Sequence, residues 1–206
     1  MVSEALAPPV QADGRTSNKG AVLRAWVRLL RREGLFEPVR ARVVPEVARL
    51  LDAPPSGSAW VDLAHLDHVI LALIAEVGDA RAEQLQREAM REGFSVVIET
   101  FVRAIIRLFH ASPHAVFSRF GQVVEAQARG MVSTYEPAGD FAGTIVSELQ
   151  YRSEVPPHAA RAACIAAELV LELCDVRGTV SAPTVERTPG NGCKVSVTVR
   201  WEPRKR

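Results

Sequence analysis

Apolar positions along this chain change their period once. Up to about residue 128 they recur at three and four residues, the spacing of one helix face. From about residue 130 they step by two, on either side of one further helical stretch. The first helix is expected from about Gly20 to Glu33, with Val22, Trp26, Leu29 and Leu30 on one face and Arg24, Arg28, Arg31 and Arg32 on the other. Gly34 is placed to end it. Glu37-Pro38 opens a second stretch that Pro45 interrupts and that resumes through Val47, Leu50 and Leu51. After a loop over 54–58 and Trp60, a helix from about Asp62 carries Leu66, Val69, Ile70, Leu73 and Val77 and stops at Gly78. Asp79 caps the next helix, which carries Ala82, Leu85 and Ala89 and is expected to end at Gly93. From Phe94 to Phe109 the pattern is apolar around more than half the circumference, which suits a central helix or an oligomer interface. Ser112-Pro113 starts a helix holding Val116, Phe117, Phe120 and Val124.

The last third reads strand, strand, helix, strand, strand. Met131–Tyr135 and Ala142–Tyr151 are the first two strands, joined by a turn over 137–140. Ala160, Ala163, Cys164, Ala167, Val170, Leu171 and Cys174 form one helical stripe after Pro156-Pro157. Val195, Val197, Val199 and Trp201 then alternate with Lys194, Ser196, Thr198 and Arg200 after a Pro-Gly-Asn-Gly turn. The expected fold class is α+β: an N-terminal helical layer over about 20–128, then a ββαββ unit over about 130–201 whose four-stranded antiparallel sheet is covered by one helix. Residues 1–18, polar and proline-containing, are expected to be a disordered tail, and 19–206 one domain.

Composition narrows the picture by exclusion. At 206 residues the chain can bury one core. A net charge of +1 argues against a general nucleic-acid role. Three cysteines, two of them on the stripe of one helix, suit a reducing compartment better than a disulfide framework, so a cytoplasmic location is expected. The N-terminus lacks the pattern of a secretory signal. No window approaches the roughly 18 apolar residues of a membrane span.

Candidate chemistry is sparse. His65 and His68, three apart on a helix near Asp62 and Asp67, have a metal-compatible spacing but read as polar positions beside the apolar stripe. His110 and His114 flank the Ser112-Pro113 junction, where they would cap carbonyls or line a pocket mouth. His158 falls in a first helical turn and is merely tolerated there. Cys164 and Cys174 read as small buried hydrophobes, and Cys193 as the thiol with most exposure. No nucleophile elbow and no phosphate loop occurs, so no enzyme is expected. The aromatic series Phe94, Phe101, Phe109, Phe117 and Phe120 could wall an apolar pocket between helices and sheet. The ligand-pocket candidates are Phe101, Phe109, Phe117, Phe120, Tyr135, Tyr151, His110 and His114.

Helices followed by ββαββ resemble the superfamily of the 4-vinyl-reductase-type sensor domains, the haem–nitric-oxide-binding domains and the TRAPP-type trafficking subunits. More narrowly, the chain resembles a paralogous family abundant in myxobacteria. That likeness rests on Lys19-Gly20-Ala21-Val22-Leu23-Arg24, Val44-Pro45 with Trp60-Val61-Asp62-Leu63, and the ending Gly190-Asn191-Gly192-Cys193 to Val199-Arg200-Trp201. The resemblance implies a soluble regulatory or sensory domain, a homodimer, with a small apolar ligand between helices and sheet. Its alternative is a protein–protein adaptor without a ligand. The group's zinc positions, counted back from Cys193, fall on Val185 and Ala182, so zinc is not expected. The haem-binding motif Tyr-x-Ser-x-Arg maps onto Tyr151-Arg152-Ser153-Glu154-Val155, with Val in place of Arg, and the iron-ligating His maps near Gln122. No cofactor, haem included, is therefore expected.

Overall fold

The computed structural model describes residues 16–95, 112–150, 155–189 and 192–203. The segment expected to be the very apolar helix over 94–109 lies outside them, apart from the backbone of 94–95. Chain order is β1 (Ser17–Lys19), α1 (Gly20–Arg32), α2 (Phe36–Arg42), α3 (Pro45–Asp52), β2 (Trp60–Asp62), α4 (Leu63–Val77) and α5 (Asp79–Ser95). Then come α6 (Pro113–Phe117), α7 (Phe120–Gln127), β3 (Ala128–Arg129), β4 (Met131–Pro137) and β5 (Ala142–Gln150). The chain closes with α8 (Pro157–Leu173), β6 (Gly178–Val180), β7 (Thr184–Thr188) and β8 (Gly192–Trp201).

The helical layer forms as its periodicity demands. Leu23, Trp26, Leu29 and Leu30 of α1 pack with Val39, Val47, Leu51, Leu66, Val69, Leu73 and Leu85 in one core. The Asp62 carboxylate accepts from the Ala64 N–H at 2.9 Å and caps α4. Gly78, at φ 78°, lets the chain leave α4 in a conformation a side chain would resist. Gly93 does not end α5, which continues to Ser95. A glycine stops a helix by turning left-handed, and Gly93 is not among the positive-φ glycines. The helix expected after Ser112 is two, because the chain breaks at Ser118, whose hydroxyl donates back to the Ala115 carbonyl.

The main sheet has the strand order β4-β5-β8-β6, with β7 also paired to β8, all antiparallel. That is one strand more than expected: Gly178–Val180, too short to show a period, pairs with the end of β8. Where a side chain on Gly178 would stand, the Arg200 carbonyl lies 2.5 Å away, so only glycine admits this pairing. A second, three-stranded sheet, β2-β1-β3, was not foreseen. It takes in Ser17 and Asn18, which were expected to be tail. Thr16 is also bound in: its hydroxyl accepts from the Gln150 N–H at 3.1 Å and donates to the Gly130 carbonyl at 3.0 Å.

One face of the main sheet is covered by α8, whose Cys164, Ala167, Val170 and Leu171, with Cys174 just past its end, meet Ile145, Val197, Val199 and Trp201. Ion pairs run from α5 to α8: Arg87 to Glu168 and Glu172, Arg91 to Glu172 at 2.7 Å, and Arg161 to Glu83 at 2.8 Å. Each exposed pair is worth little alone, but together they tie the helical layer to the helix on the sheet.

Candidate functional site

Two clusters face the space between the layers, and they are built from opposite kinds of residue. The first is aromatic. Phe117 is fully buried and stacks on Tyr135 with centroids 5.3 Å apart. His114 meets the Trp201 ring edge-on at 4.7 Å. Its Nε2 lies 2.9 Å from the Asp140 carbonyl, which can only accept, so Nε2 carries the proton. Its Nδ1 lies 2.5 Å from the Tyr135 hydroxyl, a bond that the hydroxyl donates when Nδ1 carries no proton. Burial pushes the Tyr135 phenol up to about 12. A Cβ on Gly143 would fall 2.3–2.5 Å from the tyrosine's oxygen and ring, so the ring lies on bare backbone. This cluster is full, and both His114 nitrogens and the Tyr135 hydroxyl are hydrogen-bonded.

The second is a pocket of about 210 Å³. Its walls come from α8 (Ala159, Ala162, Ala163, Ala166), from Phe120 and Val124 of α7, from Leu66 and Ile70 of α4, and from Leu149 and Val195 of the sheet. It is open because four alanines face it where larger side chains would fill the gap. Trp26 of α1 and Met90 of α5 complete the helical side. An apolar cavity of roughly 150 Å³ already holds a benzene ring.

Polar groups enter this apolar lining on the sheet, on the helical side, and at Asn18 and Gln127. On the sheet, Ser133 of β4 pairs in register with Ser147 of β5, and their hydroxyls lie 2.8 Å apart. On the helical side stand Asp67 and Gln86. Asp67 is buried and takes a 2.9 Å bond from His158 Nε2, and the Gln86 amide N–H donates to the His158 carbonyl at 3.3 Å. His158 is therefore not merely tolerated in its turn: it joins α8 to α4. Sequence reading missed this trio, although a signal existed. Asp67 lies three residues before Ile70, and Gln86 three before Ala89, both on apolar stripes where a polar residue needs a buried partner.

Of the eight candidates from sequence, Phe120 lines the pocket. Phe117, Tyr135 and His114 sit together in the aromatic cluster instead, and Phe101, Phe109, His110 and Tyr151 lie outside the described residues. Cys193, expected to be exposed, is 3% exposed against Leu149, Ala160 and Val195. It shares the parity of Val195 and Val197 on β8, and burial pushes its thiol up. His68 is exposed, and His65 lies 3.4 Å from Glu46. No group of three or more His, Cys, Asp or Glu that could hold a metal occurs among the described residues.

No family model matches this sequence, and no curated protein does. The fold, however, is that of H-NOX domains. The chain is similar to an oxygen-binding H-NOX domain related to soluble guanylate cyclases, with TM-score 0.59, 10% identity, and coverage of 91% of this chain and 100% of that one. It is similar to a variant H-NOX domain of T. tengcongensis, with TM-score 0.64, 12% identity, and coverage of 90% and 98%. A third, from work on haem distortion in the H-NOX family, has TM-score 0.62, 11% identity, and coverage of 91% and 100%. At this identity the likeness shows the fold.

This corrects the expectation of no cofactor, haem included. That expectation counted the iron ligand to Gln122, which is exposed on α7, while Phe120, Val124 and Gln127 of the same helix face the pocket. One residue turns a helix by about 100°, so a count slightly out of register tests the wrong side chain. The second half of the count fell on Tyr151–Val155, of which only Val155 is described. Haem iron takes His, Cys, Tyr or Met ligands. Among the described residues that line the pocket, Met90 and Met131 are the ligand types present, and no Arg or Lys is there to meet a propionate. The described lining by itself does not make a haem site. Among the described residues, no helix is long and apolar enough to cross a membrane.

Proposed function

We propose that this chain is a sensory domain that binds a small, mostly apolar molecule between its helical layer and its sheet. The observation that carries the reading is the alanine-walled pocket, set in a fold shared with haem-distortion and oxygen-binding H-NOX structures. A ligand there touches α1, α4, α5, α7, α8 and the sheet at once, so its arrival alters the packing of one layer on the other. The chain acts by binding and not by catalysis, in the cytoplasm, as a homodimer through the helical layer. Its place in the narrower myxobacterial family belongs to the same reading.

The adaptor alternative has less support. Among the described residues the exposed large apolar side chains, Val44, Leu71, Val132, Phe141, Leu173 and Val185, come from separate segments and not from one helix face. Native mass spectrometry and an absorption spectrum of the freshly purified protein test the proposal together. A non-covalent adduct on a two-chain species is expected. A Soret band would name haem as that adduct. A bare protein that also takes up neither haem nor small aromatics would overturn the ligand reading.

A further inference from the structure

The polar groups of the pocket leave hydrogen-bonding capacity unspent, and its kind defines a ligand class. Ser133 and Ser147 are both buried, and their hydroxyls make one bond between them. Two hydroxyls carry two protons, and one bond uses one of them. The second proton has no partner among the described residues, and both serines line the pocket. The sheet wall thus offers a donor. On the helical wall, Gln86 is 5% exposed and spends an amide N–H on the His158 carbonyl. Its amide oxygen and its second N–H have no partner among the described residues, so that wall offers an acceptor, with one donor beside it. Asp67 beside it is held by His158. A ligand that completes either group gains a hydrogen bond in an apolar setting, so each favours such a ligand.

We propose that the pocket is bipolar. It takes a small aromatic molecule bearing a hydrogen-bond acceptor at one end, which meets the Ser133–Ser147 pair, and a donor at the other, which meets Gln86. This rests on the pocket being a ligand site, as proposed above. The volume of about 210 Å³ suits one substituted ring.

Four matched probes test it by isothermal titration calorimetry on the full chain: 4-hydroxyacetophenone, with acceptor and donor at opposite ends; acetophenone, with the acceptor alone; 4-ethylphenol, with a donor and no carbonyl; and ethylbenzene, with neither. Each matched pole is expected to tighten binding about 2- to 10-fold, so the hydroxyketone binds tightest and ethylbenzene weakest. The double variant Ser133→Ala, Ser147→Ala is expected to erase the advantage of the carbonyl alone, and Gln86→Leu that of the hydroxyl alone. Equal affinity across the four probes would overturn the bipolar assignment and leave the pocket standing. Failure of all four, ethylbenzene included, would overturn the bipolar assignment, and with no haem uptake either it would overturn the ligand reading as well. The wild-type series decides the matter even if a variant does not fold.

Discussion

The aromatic cluster and the pocket lie against the same sheet, yet one is closed and the other open. In the cluster, Phe117, Tyr135, His114 and Trp201 fill the space, and both His114 nitrogens are hydrogen-bonded. In the pocket, alanines leave the space, and serine and glutamine leave hydrogen bonds unmade. Large aromatic residues here report where the protein is packed. Small residues beside buried polar ones report where something else fits.

The comparison breaks most sharply at Phe117. Replacing it with Ala removes a fully buried ring from a filled cluster, and chemical denaturation is expected to show a loss of about 3–5 kcal/mol. A loss under about 1 kcal/mol would mean that the cluster can collapse or is not tightly packed. The mirror experiment is Ala163→Leu in the pocket. Added bulk there occupies existing space, so stability should change by less than about 1.5 kcal/mol while ethylbenzene binding falls at least tenfold. Overpacking on the scale of a filled core would show that the pocket is already full.

A third test uses pH. Tyr135 has its phenol raised to about 12, above its ordinary value of 10.0. A folded-state value above the unfolded one means that this contribution is complete below about pH 10 and is lost as pH rises toward 12. Stability measured across that window should decline for the wild type and less steeply for Tyr135→Phe. Equal slopes would show that the phenol does not titrate against the fold. The smallest effect is chemical. All three cysteines are buried, and burial raises the thiols of Cys164 and Cys193, so a thiol reagent should label the native protein slowly and the unfolded protein at three sites. Rapid labelling of Cys193 would place that end of β8 outside the core.

Much of the framework was legible in the chain. The stripe on α1, the start of α4 near Asp62, the stop at Gly78 and the alternation along β8 are local, because helix and strand periods are set by residues a few positions apart. The same alternation already put Cys193 on the buried parity with Val195, and the expectation of exposure ignored it. The site was less legible. The aromatic series suggested a pocket, and of its described members Phe120 alone lines one. The alanines of α8 read equally as close packing or as open space, since a small side chain does not say what lies opposite.

By itself, then, the sequence determined the class of fold, the helical layer before the sheet, and which face of each element is apolar. The tertiary structure alone decided that Ser133 meets Ser147, that Asp67 meets His158 across 91 positions, and that Ala163 faces a cavity. Those facts depend on which elements lie side by side. Strand register and layer packing bring together residues far apart in the chain, and no period within one segment carries that information.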